Sequence, residues 1–255
     1  MPTELSTRNC DNFKNAGKKR ETAQYKDMNR NYHAYCAILL AIALILVMCS
    51  QLINSEKTAL GEVDAEKSVY LTFDDGPSDR VTPKILDVLK EENVTATFFI
   101  VGQNAKLRKY LLEREFAEGH TVAVHSYTHD YKKIYASPEK LIADIDKCNN
   151  LIKEVTGQFS AVYRFPGGSY GLSKRMISAV KQHGMKFIDW NASTRDAEYC
   201  NAPVDLIYKS TVETSKGLNK VVLLAHDSTS KTTTAAALKK IIQYFKSQNY
   251  VFKKF

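Results

Sequence analysis

The chain has 255 residues, 44% of them hydrophobic and 25% charged, with a formal net charge of +8. This is globular composition, which excludes disorder as the overall class, and the length suits one large domain with appendages. Five cysteines do not make a disulfide framework, and no Lys/Arg stripe interleaved with aromatics marks a nucleic-acid partner.

Residues 1–33 form a polar tail with seven basic side chains against four acidic ones, so +3 of the net charge lies there and, by difference, +5 follows it. Residues 34–53, "AYCAILLAIALILVMCSQLI", carry no charge. Twenty residues at about 1.5 Å each span about 30 Å, a bilayer core, and a buried globular helix is rarely apolar on every face for so long. The run reads as a retained transmembrane anchor. A cleaved signal peptide is the rival, opposed by the long polar leader and by the lack of a small-x-small cleavage site. The basic tail predicts a cytoplasmic N-terminus and an extracellular remainder, a single-pass protein of the cell membrane. Outside, the basic balance suits an anionic cell wall or lipid surface. Residues 54–67 read as a linker. Beyond the anchor lie only Cys148 and Cys200, whose separation leaves open whether they meet.

From residue 68 to 255 strand-like and helix-like segments alternate. "SVYLTF" (68–73) predicts a buried strand that ends on Asp74, Asp75 and a Gly-Pro turn. A helical pattern over 81–93 leads to the strand-like 94–102. One helix is expected over 105–119, then a short strand at 121–125. Residues 137–157 predict a helix with Ser137 as N-cap and Pro138 in its first turn. Strand 160–165, helix 173–184, strand 185–190, helix 202–217, strand 220–226 and helix 233–248 follow, before a final "YVFKKF". This order predicts an α/β fold with a mostly parallel sheet, an irregular (β/α) barrel of about seven units. In such folds reactive residues gather where strands end. Here Asp74, Asp75, His125, Arg164, Asp189 and His226 each end a strand-like run.

Adjacent carboxylates repel unless a proton or cation sits between them, so "DDG" at a strand end is costly unless used. In "HSYTH" (125–129), two histidines four apart converge on one helical turn or tight loop, the spacing of metal ligands. With a carboxylate from another strand end they form a plausible His-His-Asp site, for which zinc is the first choice of divalent ion. "YRFPGG" (163–168) sets Arg164 at a strand end, where it needs a carboxylate to bond, beside glycines that let backbone approach a ligand. "VVLLAHDS" ends on His226, an imidazole suited to acid–base work near neutrality.

In this order the segments resemble the polysaccharide deacetylases of carbohydrate esterase family 4, the NodB homology group, over about residues 66–255. "TFDDG", "HSYTH", "RFPGG" and "LLAH" match four of its motifs. The resemblance implies that Asp74 is the general base and that Asp75, His125 and His129 ligate one divalent metal. It implies that Arg164 holds Asp74, that Gly167 N–H meets the oxyanion, that His226 protonates the departing amine, and that Trp190 and Leu224 line the acetyl pocket. Two departures stand out. Gly167 occupies a place where the family often has tyrosine, and "WNASTRDA" (190–197) keeps only Trp190 and Asp196 of a longer motif. Asp196 is therefore assigned to orient His226, with Asp189 as the alternative. The implied function is metal-dependent N-deacetylation of a GlcNAc-containing wall polymer, peptidoglycan first. Chitin-type oligomers, poly-GlcNAc and acetyl-xylan are alternatives, and a catalytically silent sugar-binding domain is the rival from another class.

Overall fold

The structure, a computed structural model, describes residues 38–51, 66–199 and 202–255. The chain divides into two units, Met1–Val63 and Asp64–Phe255. In the first, residues 38–51 form helix α1, whose Leu39, Leu40 and Leu46 side chains are exposed. The rest of the expected 34–53 anchor, the tail and most of the linker lie outside the described residues. Among the described residues no helix is long and apolar enough to cross a membrane.

In the second unit eight strands build one parallel sheet: β1 Ser68–Asp74, β2 Thr97–Val101, β3 Thr121–Ser126, β4 Val162–Tyr163, β5 Lys186–Phe187, β6 Ala192–Ser193, β7 Lys220–His226 and β8 Val251–Lys253. Their order is β5-β4-β3-β2-β1-β7-β6, with β8 beside the start of β1. Around the sheet run α2 Thr82–Glu91, α3 Gly102–Leu107, α4 Lys109–Ala117, α5 Tyr131–Ile134, α6 Pro138–Thr156, α7 Lys174–Gln182, α8 Val204–Ser215 and α9 Thr232–Ser247. Helix α6 begins as its sequence predicts: Ser137 Oγ accepts from Lys140 N at 3.3 Å, and Pro138 fills the first turn, where no intrahelical N–H is needed.

Strand alternation sorts the side chains. On β1, Val69, Leu71 and Phe73 join the hydrophobic core with Ile85, Leu86 and Leu89 of α2. Thr72 and Asp74 point the other way, since one Arg164 guanidinium nitrogen bonds both. On β7, Val221, Leu223 and Ala225 belong to the core cluster, and Val222, Leu224 and His226 do not. The sheet therefore curls around an interior where Thr72, Asp74 and His226 lie beside Val222 and Leu224, and packs its outer face on helices.

The barrel is open. Among the described residues no pairing joins β5 to β6, the two ends of the sheet path. The segment between them is held by other means. Arg164 Nε donates to Ile188 O at 3.0 Å, and Asn191 acts as a one-residue strand, its Nδ2 donating to Lys220 O and its Oδ1 accepting from Val222 N. The single helix expected over 105–119 is two, broken at Arg108, whose φ of −136° and ψ of 44° are not helical.

Candidate active site

Register places the site. Parallel pairing sets Asp74 beside His226 of β7 on one side and Phe99 of β2 on the other. The loop beyond β1 is locked to both neighbours: Asp227 N donates to Asp74 O at 3.1 Å, and Val101 N to Gly76 O at 2.9 Å. Asp75 adopts a φ of 77°, which turns its carboxylate back over the strand ends. Gly76 is required because a β-carbon there would lie 2.0 Å from Asp227 Oδ2.

Asp75 meets both histidines of "HSYTH". Its Oδ1 is 3.5 Å from His125 Nε2 and 3.2 Å from His129 Nε2, and the three ligand atoms lie within 4.8 Å of one another. His125 stands on β3; His129 lies in the following loop with a φ of 55°, so a tight loop rather than a helical turn brings the rings together. His125 Nδ1 lies 2.9 Å from Arg164 O. A carbonyl only accepts, so in the neutral ring Nδ1 carries the proton and Nε2 presents its lone pair to the Asp75 carboxylate. Lone pairs converging in this way need a proton or a metal cation between them. Ligands about 2.0–2.1 Å from a tetrahedral zinc stand about 3.3 Å apart, which the separations of Asp75 Oδ1 from the two histidines bracket. Burial lowers the His129 pKa despite the pull of Asp75, which favours the neutral, ligating ring. Burial raises the Asp75 pKa, but when the rings are protonated instead of metal-bound, the hydrogen bond and charge of His125, with the charges of His226 and His129, hold it well below the usual carboxylate range.

Asp74 is 3% exposed and paired with Arg164, which is fully buried. Arg164 Nη1 donates to Asp74 Oδ1 at 2.8 Å and to Thr72 Oγ1 at 2.7 Å, and the guanidinium lies 4.1 Å from the centre of the Phe99 ring. Thr72 Oγ1 in turn donates to Leu223 O at 2.6 Å. Across the interior, His226 Nδ1 donates to Asp196 Oδ1 at 2.7 Å, while Asp196 Oδ2 accepts from His226 N at 2.9 Å and Thr234 Oγ1 at 2.8 Å. Burial disfavours a charged His226, yet the hydrogen bond and charge of Asp196, with the charges of Asp74 and Asp75, raise its pKa to about 9.

Asp189, the alternative partner, is committed elsewhere. It accepts from Ser169 N at 2.9 Å and from Ser169 Oγ, and so closes the Gly-rich turn. Gly167 has a φ of 78°, and among the described residues its N–H has no hydrogen-bond acceptor. Trp190 packs against Gly168, where a β-carbon would meet the indole at 3.0 Å, and lies 5.7 Å from the Arg164 guanidinium. Leu224 points inward from β7, two residues before His226. Cys148 is buried, and Cys200 lies outside the described residues.

Several contributors escaped sequence reasoning. Asp144 of α6 accepts from Ser126 Oγ, Tyr127 N, Thr128 N and Thr128 Oγ1 at 2.5–3.1 Å, holding the loop that carries both histidines. The available signal was its position three residues after Leu141 and four before Cys148, on the buried stripe of the helix. Asn104 Nδ2 donates to Asp75 O at 2.9 Å. Asp227 supports the β1 loop through Thr82 Oγ1 at 2.6 Å; burial, with the charges of Asp75 and Asp74, pushes its pKa up to about 7 despite that bond.

The polysaccharide deacetylase family model matches residues 61–188, which contain the two aspartates, both histidines and Arg164. The chain is 34% identical over 206 residues to a peptidoglycan-N-acetylglucosamine deacetylase of Bacillus cereus, covering 78% of this chain and 74% of that one. It is 36% identical over 186 residues to the peptidoglycan-N-acetylglucosamine deacetylase PgdA of Listeria monocytogenes, covering 73% of this chain and 37% of that protein. The crystal structure of the catalytic domain of a peptidoglycan N-acetylglucosamine deacetylase from Eubacterium rectale superposes with a TM-score of 0.70 at 33% identity, over 74% of this chain and 88% of that one. With fold, strand-end residues and relatives in agreement, the chain belongs to the polysaccharide deacetylase family.

Proposed function

We propose that the chain is a metal-dependent hydrolase that removes N-acetyl groups from GlcNAc residues of an extracellular polysaccharide, most directly peptidoglycan. The observation that carries the reading is the convergence of Asp75, His125 and His129 between a carboxylate held by Arg164 and an imidazole held by Asp196. A divalent ion held by that triad, zinc by its donor set, would polarise the acetamide carbonyl and acidify the attacking water. Asp74 takes the proton from that water as the new C–O bond forms. Arg164 fixes the carboxylate, so no rotamer search precedes the transfer. Gly167 N–H is open to the cleft and donates to the acyl oxygen as it gains negative charge. His226, its pKa raised to about 9, is protonated at neutral pH and hands its proton to the departing amine as the C–N bond breaks. Acetate and a free glucosamine amine are the products.

Support for peptidoglycan comes from the relatives named for it in Bacillus, Listeria and Eubacterium. The reading also keeps residues 34–53 as a single membrane anchor with the catalytic unit outside, supported by the uncharged run, the basic tail before it and the helical course of 38–51. Acetate release by the zinc-loaded chain from peptidoglycan, chitin oligomers, poly-GlcNAc and acetyl-xylan, measured side by side, tests the substrate. Peptidoglycan should be deacetylated fastest. Release from none of them would turn the reading towards a sugar-binding domain without catalysis.

A further inference from the structure

The turn after Arg164 presents Gly167 to the cleft, where the family often has tyrosine. Another aromatic borders that position here. A β-carbon on Gly167 would lie 3.2 Å from both Cε1 and the hydroxyl oxygen of Tyr131. Tyr131 reaches this point from the opposite lip, as the first residue of α5 and two residues after His129. Its ring meets the His129 ring edge-on, with centroids 5.4 Å apart and planes at 86°.

The aromatic is held in place from several sides. Asp130 caps α5, its Oδ1 accepting from Lys133 N at 3.3 Å, which fixes the direction in which Tyr131 enters the cleft. Tyr131 also packs edge-on against Tyr135 at 5.8 Å, and Tyr135 donates its hydroxyl to Pro166 O at 2.7 Å. The short helix and the Pro166–Gly168 turn are therefore tied together. Tyr131 is nonetheless 48% exposed, and among the described residues its hydroxyl forms no hydrogen bond. A phenol carries its proton at neutral pH, so the hydroxyl is a donor.

We propose that Tyr131 contacts the substrate: its hydroxyl donates a hydrogen bond to the reacting acyl group, alongside Gly167 N–H. At this lip the histidine loop supplies the aromatic, and a β-carbon on Gly167 would crowd its ring at 3.2 Å. The inference rests on the deacetylase reading above and adds a second donor to it. A preorganised donor beside a developing negative charge acts mainly on the transition state, so its loss falls on kcat more than on KM.

Tyr131→Phe in the full, zinc-loaded chain isolates the hydroxyl, since the ring still packs on Gly167 and His129. Two readouts are taken: kcat and KM for acetate release, and the affinity of acetohydroxamic acid by calorimetry. The variant should lose about tenfold or more in kcat with KM little changed, and about fivefold in hydroxamate affinity. Its zinc content and melting temperature should match wild type. Tyr131→Ala should be no better. Wild-type values for Tyr131→Phe in both readouts would overturn the proposal, even if Tyr131→Ala is impaired, because the ring alone would then matter. Wild-type chain that fails to bind the hydroxamate would overturn it as well. If wild type binds the hydroxamate more tightly than Tyr131→Phe but releases no acetate, the contact stands and the deacetylase reading fails.

Discussion

Asp196→Asn is a near-isosteric change that removes the charge from the partner of His226. The carboxylate now accepts three hydrogen bonds, from the His226 ring, the His226 backbone and Thr234. An amide has one oxygen, so its NH2 must face either the Nδ1 proton or the His226 backbone N–H. Burial, which already opposes the imidazolium, is then no longer outweighed by Asp196. The ring now titrates at about 9 against an ordinary 6.5. At about 1.4 kcal/mol per unit, protonation is favoured by about 3 kcal/mol, shared among Asp196, Asp74 and Asp75. Since, among the described residues, Asp196 alone bonds the ring directly, one to two units of that shift should vanish with it. The amine needs a protonated ring, so the rate falls as pH rises through the His226 pKa, and a lower pKa moves the alkaline limb to lower pH. At pH 8 a ring titrating near 9 is about nine-tenths protonated, and one titrating near 7 about one-tenth, so activity there should fall about tenfold from protonation alone. The same pair stabilises the fold fully below the unfolded pKa near 6.5, and that contribution is lost as pH rises through about 9. The assay is kcat/KM for acetate release from pH 5 to 10, with zinc content measured in parallel. Asp189→Asn is the control, because Asp189 bonds Ser169 and should leave the limb in place. An unmoved limb in Asp196→Asn, or one moved by Asp189→Asn instead, would refute the reasoning.

The two adjacent aspartates should separate cleanly. Asp75→Ala should lose both metal and turnover, while Asp74→Asn should keep the metal by elemental analysis and lose turnover, because an amide cannot accept the proton; equal metal loss in both would reverse or merge the roles. Asp144→Ala leaves the Tyr127 and Thr128 N–H groups without their acceptor, so the melting temperature should drop by an amount equivalent to roughly 1–3 kcal/mol. With the histidine loop loosened, zinc affinity should fall about 10- to 100-fold in a competition titration against a chelator.

What was legible in the sequence follows the length of each signal. β1 and β7 are seven residues each, long β-branched and aromatic runs, and both lie as their patterns predict. Because their inward residues alternate, the strand-end positions of Asp74 and His226 followed directly. β4, β5 and β6 are two residues each; the first two lie inside the strands expected at 160–165 and 185–190, but β6 went unread in "WNASTRDA". That gap kept Asp196 and Asp189 unresolved. The choice depends on Ser193 pairing with Leu224, which carries the chain past the end of β7 and back to His226. Helix α5 has four residues and no pattern of its own, yet it delivers Tyr131 to the cleft. Asp144 and Asn104 act through contacts between distant segments, and only a folded chain defines those. The anchor rests on the uncharged run, the basic tail before it and the helical course of 38–51, and its flanks lie outside the described residues.

The central claim is that one divalent ion held by Asp75, His125 and His129 makes this chain a deacetylase. Metal-free full-length protein, prepared with a chelator and titrated with zinc, tests it while acetate release from peptidoglycan is followed. Activity should rise with zinc and level off at about one ion per chain, and the His125→Ala, His129→Ala double variant should neither bind that ion nor release acetate. Full zinc occupancy in the double variant, or undiminished acetate release by the metal-free chain, would contradict it.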